Sequence, residues 1–98
     1  MGYVVKATWT ANQGSEDVVL DAIKQLTPPS REEPGCRFYQ AYVDPDEPRV
    51  FHLFEIYDDE AAYKAHGDSE HFQRLGFGQA IPVLEKRERA FYETVEAS

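Results

Sequence analysis

Residues 36–57, CRFYQAYVDPDEPRVFHLFEIY, decide the fold of this 98-residue chain. Two runs rich in aromatic and β-branched residues, 36–43 and 49–57, flank a polar segment that contains Pro45 and Pro48. This pattern predicts two strands joined by a turn, which is a β-hairpin. Both faces of each strand carry apolar or aromatic side chains, so we expect both faces of the sheet to be covered.

The segments around the hairpin predict the rest of the fold. They are a strand over 3–11, a helix from about Ser15 to Leu26 disturbed by Pro28 and Pro29, a short helix from Asp58 or Asp59 to Gly67, an irregular helix from Ser69, and a strand over 87–95. The order β-α-β-β-α-β is that of the ferredoxin-like α+β fold, a four-stranded antiparallel sheet with its helices on one face. The length suits a single domain over residues 1–98.

The predicted sheet has one face that its own helices cannot cover. Two helices pack on one side of a four-stranded sheet, and the other side is also apolar and aromatic. The simplest cover is the same face of a second copy, packed about a two-fold axis. The pattern therefore predicts a homodimer, and the alternative is a monomer with an aromatic-rich open face.

Composition excludes several classes of protein. Ten Lys and Arg against eighteen Asp and Glu give a net charge of −8, which disfavours binding to nucleic acid or to an anionic membrane surface. No apolar run reaches the roughly 18 residues of a membrane span, residues 1–9 lack a signal-peptide pattern, and the single cysteine excludes a disulfide framework. We expect a cytoplasmic protein whose ligand is a neutral, apolar or aromatic small molecule.

Several short motifs resemble the antibiotic biosynthesis monooxygenase (ABM) family. They are Glu33-Pro34-Gly35-Cys36, Tyr39, Phe54-Glu55, Asp59-Glu60-Ala61, Ala65-His66 and Ser69-Glu70-His71-Phe72. The resemblance implies a dimeric α+β barrel built from two ferredoxin-like sheets. The family includes cofactor-free oxygenases of polycyclic phenols and quinols, haem-degrading enzymes and an isomerase of a signalling sugar phosphate.

The resemblance does not extend to the residues of two specialised groups in the family. The haem-degrading members use an Asn, a Trp and a His, and the matching positions here are Ala7, His66 and about Gly76. The aromatic-polyketide oxygenases use an Asn, a Trp, a Tyr and a His, and the matching positions here are Leu53, Tyr57, Tyr63 and Tyr42. Only Tyr63 is identical, so the resemblance implies neither haem breakdown nor one specific polyketide.

Strand alternation predicts a pocket between the sheet and the helices. The residues expected to face the helices include Val5, Ala7 and Trp9 on the first strand, Phe38, Gln40 and Tyr42 on the second, and Phe51, Leu53, Glu55 and Tyr57 on the third. We predict that the residues that bind an aromatic substrate are Trp9, Tyr42, Leu53, Tyr57, Phe72 and Phe77.

Three residues are predicted to carry the chemistry. Histidine is the side chain whose usual pKa lies closest to neutral, so His66 is the candidate base. Tyr63 would donate a hydrogen bond to a substrate oxygen, and Glu55 would act as a catalytic acid. The alternatives are that His66 only caps its helix, and that Glu55 forms a salt bridge to an arginine, of which the candidates are Arg37, Arg49 and Arg74.

The predicted activity is cofactor-independent oxygenation, by dioxygen, of a small phenol, quinol or aromatic polyketide. No metal is expected, because the chain has no His-x-x-x-His or Glu-x-x-His spacing. Two alternatives stay open: a non-catalytic dimer that binds a small molecule or regulates, and a cofactor-free isomerase that uses His66 and Glu55 as base and acid.

Overall fold

The predicted ferredoxin-like α+β fold is confirmed by a computed structural model, which describes residues 2–96. Its elements are β1 (Tyr3–Ala11), α1 (Glu16–Arg31), β2 (Cys36–Asp44), β3 (Glu47–Tyr57), α2 (Glu60–Asp68), a π-helix (Phe72–Ala80), a 3-10 turn (Ile81–Val83) and β4 (Leu84–Glu93). The antiparallel sheet has the order β2-β3-β1-β4. The helices and the sheet face beneath them enclose the apolar core.

Helix α1 continues past the two prolines that were expected to disturb it after Leu26. Its buried face runs through both prolines, from Val19 and Ala22 to Ser30, which is fully buried. Packing of this face outweighs the hydrogen bonds that Pro28 and Pro29 cannot donate. At 16 residues α1 is the longest helix of residues 2–96, and none of the helices in that range is long and apolar enough to cross a membrane.

The predicted facing of β2 is wrong, because the strand contains a bulge near its start. Cys36 lies opposite Tyr57, but the next paired residue, Phe38, lies opposite Ile56. A one-residue shift of register turns every later side chain to the other face of the sheet. Tyr39 therefore points to the core and is 2% exposed, whereas Phe38, Gln40 and Tyr42 lie on the face away from the helices.

Helix α2 begins as the sequence predicts, at the Asp59 cap. The Asp59 carboxylate accepts a hydrogen bond from the backbone N–H of Ala62 at 2.9 Å. The helix ends at Asp68, one residue beyond the predicted Gly67. Ala62 also packs against the turn that leads into β2, so the position of α2 depends on Gly35.

We expect Gly35→Ala to destabilise the fold by about 1–3 kcal/mol. A Cβ at this position would lie 2.5 Å from the Cβ of Ala62, and neither atom belongs to a flexible side chain. Urea unfolding followed by circular dichroism would measure the change. Gly67→Ala is the matched control, because no atom lies within 4 Å of the added Cβ; equal destabilisation by both variants would contradict the prediction.

Candidate active site

A cavity of about 310 Å³ lies between the sheet, α2 and the π-helix. Its lining includes most of the predicted site residues, namely His66, Tyr63, Glu55, Trp9, Leu53, Phe72 and Phe77. The lining residues that were not predicted as site residues are Val5, Ala7, Tyr39, Lys64, Gly67, Asp68, Arg87 and Arg89. The volume is at the lower end of the range typical of small-molecule sites.

Aromatic rings form the upper wall of this cavity. Phe72 lies with its ring centroid 6.4 Å from Trp9, 5.2 Å from Phe77 and 5.0 Å from His66. A Cβ on Gly76 would lie 2.8 Å from the Phe72 ring, so only glycine leaves room for this ring position. Such walls suit a flat aromatic ligand.

Tyr42 does not belong to the cavity, contrary to the expectation from strand alternation. The bulge in β2 places it on the other face of the sheet, where it is 54% exposed and stacks on His52 with centroids 5.1 Å apart. Tyr39 takes its place on the cavity side. No signal in the local sequence marks the bulge, so alternation alone could not identify Tyr39.

Tyr57 was predicted to bind substrate, but it does not line the cavity. It contacts Glu55, which does. Its side chain is fully buried, and its hydroxyl donates a hydrogen bond of 2.5 Å to Oε1 of Glu55. Burial raises the pKa of the Glu55 carboxyl, an effect that the Tyr57 hydrogen bond partly opposes. Burial and the charge of Glu55 raise the pKa of Tyr57. The pair thus keeps an acid in an apolar wall.

The predicted salt bridges of Glu55 do not form. The three candidate arginines pair with other acids, Arg37 with Asp58, Arg49 with Glu85 and Arg74 with Glu70. These pairs lie at the surface. Glu55 is 5% exposed and takes its hydrogen bond from the neighbouring tyrosine on the same face of β3.

His66 is buried in the wall of the cavity and is held by a carboxylate. It is 3% exposed, and its Nδ1 lies 2.7 Å from Oε2 of Glu33. The same oxygen lies 2.6 Å from Nε2 of His71. A carboxylate can only accept hydrogen bonds, so both ring nitrogens that face Glu33 carry hydrogens. In neutral His66 the other nitrogen, Nε2, is therefore unprotonated and can take up a proton.

The same three residues offer a set of metal ligands that motif spacing did not reveal. One ligand atom each from Glu33, His66 and His71 lie within 4.8 Å of one another. Two imidazoles and a carboxylate suit several divalent ions, and an ion here would replace the two hydrogen bonds to Glu33. The residues come from three segments, so a search for two ligands on one helix does not find them.

Arg87 and Arg89 bring positive charge to the cavity from β4. They lie opposite Trp9 and Ala7 of β1, on the side of the sheet that faces the helices. Nη1 of Arg89 donates a hydrogen bond of 3.0 Å to the Tyr63 hydroxyl. The alternation in RERAF, 87–91, was the available sequence signal, because it places both arginines on one face of the strand.

Known proteins share this architecture over nearly the whole chain. The sequence model of the family described as antibiotic biosynthesis monooxygenase matches residues 2–75. Protein SO0527 from Shewanella oneidensis is 30% identical with a TM-score of 0.87, and the alignment covers 98% of this chain and 93% of that one. Protein PA3566 from Pseudomonas aeruginosa is 26% identical with a TM-score of 0.86, covering 97% and 95%.

A third similar structure bears the name of the family. It is a crystal structure described as antibiotic biosynthesis monooxygenase, 28% identical with a TM-score of 0.87, and the alignment covers 98% of this chain and all of that one. A search of the curated proteins gives no match. The motifs from Glu33 to Phe72 that suggested the resemblance lie within the matched residues. The chain therefore belongs to the antibiotic biosynthesis monooxygenase family.

Proposed function

We propose that this protein is a cofactor-independent monooxygenase of a small phenol, quinol or aromatic polyketide. The observation that carries the proposal is His66, a buried histidine that Glu33 holds at the wall of an aromatic cavity. Family membership and the name of one structural neighbour support a monooxygenase-like activity at a coarser level. The substrate class comes from the residues of the cavity.

The first chemical step is removal of a phenolic proton. Nε2 of His66 takes the proton, and the Glu33 carboxylate stabilises the resulting imidazolium through Nδ1. The phenolate oxygen then accepts a hydrogen bond from Tyr63, whose hydroxyl oxygen in turn accepts one from Arg89. The apolar walls exclude water and so strengthen each of these interactions.

The substrate itself supplies the electrons. The phenolate passes one electron to dioxygen, and the resulting radical and superoxide combine to form a C–O bond and a peroxide anion. Protonation and loss of water break the O–O bond and leave a carbonyl group on the ring. If RH2 is the phenolic substrate and RO the product with the new carbonyl group, the overall reaction is RH2 + O2 → RO + H2O. The substrate gives four electrons and two hydrogens to dioxygen and keeps one of its oxygen atoms.

The proposal includes a homodimer that covers the outer face of the sheet. On that face Phe54 packs edge-on against Phe38 at 5.8 Å between centroids, and Phe38 is 48% exposed. Tyr92 on β4 is 54% exposed on the same face. The free Cys36 is in keeping with the reducing cytoplasm, where we propose that the dimer works.

Oxygen consumption tests the activity directly. With a panel of hydroquinones and naphthols we expect uptake above the buffer rate, and with ¹⁸O2 one labelled atom in the product and one in water. We expect EDTA-treated protein to keep its rate, because His66 and Tyr63 act without a metal. No uptake across the panel would contradict the oxygenase, and loss of activity with EDTA that returns with a divalent ion would contradict its cofactor independence.

A further inference from the structure

Positive charge is concentrated at the cavity of an otherwise acidic protein. The chain carries a net charge of −8, yet Lys64, Arg87 and Arg89 all line this cavity. On neighbouring β1 the same side of the sheet carries Ala7 and Trp9, which are 6% and 2% exposed. Arg87 is half-buried on this side, whereas Arg89 is exposed, and a partly buried guanidinium is unfavourable unless it meets an anion.

Arg87 has no such anion at ion-pair distance among residues 2–96. Its Nε is buried without a hydrogen-bond partner, and no carboxylate of residues 2–96 lies within 4.0 Å of its guanidinium. Burial lowers the pKa of this group, but an arginine stays charged at neutral pH. The guanidinium carbon instead lies 5.8 Å from the centroid of the Phe77 ring.

The acids of the cavity do not neutralise the arginines. Glu55 accepts the hydrogen bond of Tyr57, and the described residues form no ion pair between it and Arg87. Asp68 lies at an exposed position of the lining. Within residues 2–96 Arg89 makes one hydrogen bond, to the Tyr63 hydroxyl. The two guanidinium groups therefore retain donors for a bound ligand.

We propose that the ligand of this cavity is a phenolic aromatic acid whose carboxylate binds Arg87 and Arg89. The inference rests on the proposed function and names its substrate class more closely, replacing the neutral ligand expected from composition. A guanidinium matches a planar carboxylate with two parallel hydrogen bonds. The ring of the acid lies against Trp9 and Phe72, and its phenolic group is within reach of His66 and Tyr63 across the same cavity.

Two small molecules that differ by one carboxylate test this inference. We expect gentisate (2,5-dihydroxybenzoate) to bind roughly 10- to 100-fold more tightly than hydroquinone, measured by calorimetry without oxygen. Trp9 is the only tryptophan, so a change in its fluorescence locates binding to the cavity. Equal affinity for the two compounds would overturn the proposal, as would inorganic phosphate competing as well as gentisate.

Variants of β4 separate ligand binding from a structural role. We expect Arg87→Gln and Arg89→Gln each to remove most of the preference for gentisate, and Arg87→Gln to melt no lower than the native protein. Lys86→Gln is the matched control, because Lys86 lies on the opposite face of β4 and pairs with Glu88. A preference retained in both arginine variants would refute the proposal.

Failure of the acidic-substrate proposal can be distinguished from failure of the proposed oxygenase activity. Binding is measured without oxygen, so an absence of turnover does not affect it. Oxygen uptake with hydroquinone but no preference for gentisate would support the oxygenase and reject only the acidic substrate.

Discussion

We expect His66→Ala to lower the rate of phenol oxidation by about 10²- to 10⁴-fold. The variant removes the group that takes up the phenolic proton, and no other histidine lines the cavity within residues 2–96. Initial rates of oxygen uptake under saturating substrate would measure the loss. Because deprotonation by water becomes easier at high pH, we expect the deficit to shrink as the pH is raised.

Glu33→Gln separates the positioning of His66 from its chemistry. The amide can still contact both rings but carries no charge, so it stabilises the protonated form of His66 less than the carboxylate does. We expect a smaller fall in rate than for His66→Ala. The circular dichroism spectrum of each variant checks the fold.

The matched control for His66 is His52→Gln. His52 lies on the opposite face of the sheet, where its ring contacts Tyr42 and the Thr8 hydroxyl. We expect its turnover to stay within about twofold of the native rate. Unchanged turnover in His66→Ala would contradict the role of His66 as the base. Equal losses of turnover in His66→Ala and His52→Gln would also contradict it, because they would indicate a general effect on the fold or the proposed dimer.

The second large effect is expected at the outer face of the sheet, where Phe54→Asp should convert the proposed dimer to monomers. Phe54 lies between Lys6 and Gln40 on that face and contacts Phe38. In a two-fold interface each substitution occurs twice, and moving a carboxylate from water into a contact between aromatic faces is strongly unfavourable. We expect the dissociation constant to rise at least about 10²-fold, measured by sedimentation equilibrium.

A substitution on the helical side provides the control for dimerisation. Val18 on α1 is 41% exposed, so Val18→Asp introduces the same charge away from the sheet. We expect it to sediment like the native protein. A native chain that sediments at 11.2 kDa at micromolar concentration would contradict the proposed dimer outright.

Local patterns were enough to predict the architecture. Alternating aromatic and β-branched residues marked the hairpin, and Asp59 marked the start of α2, because strand pairing and helix capping depend on neighbours in sequence. Alternation also placed Trp9, Leu53 and Glu55 correctly on the helix-facing side. These strands run without a shift of register over the cavity residues.

Where long-range packing competes with a local signal, the sequence predicted less well. Pro28 is a local signal to stop a helix, but the buried face of α1 continues to Ser30. The bulge after Cys36 exchanges Tyr42 for Tyr39 at the cavity. Neither outcome has a local signature, since each depends on what the element packs against.

The amino-acid order by itself determined the ferredoxin-like topology, the family and the aromatic character of the cavity, because these follow from periodicity and from motifs within short segments. Only the tertiary structure decided that Glu33 holds His66 and His71, and that Arg87 and Arg89 meet the cavity without an acidic partner in residues 2–96. Those contacts join segments far apart in the chain. Their geometry depends on how the helices lie on the sheet, which no local pattern specifies.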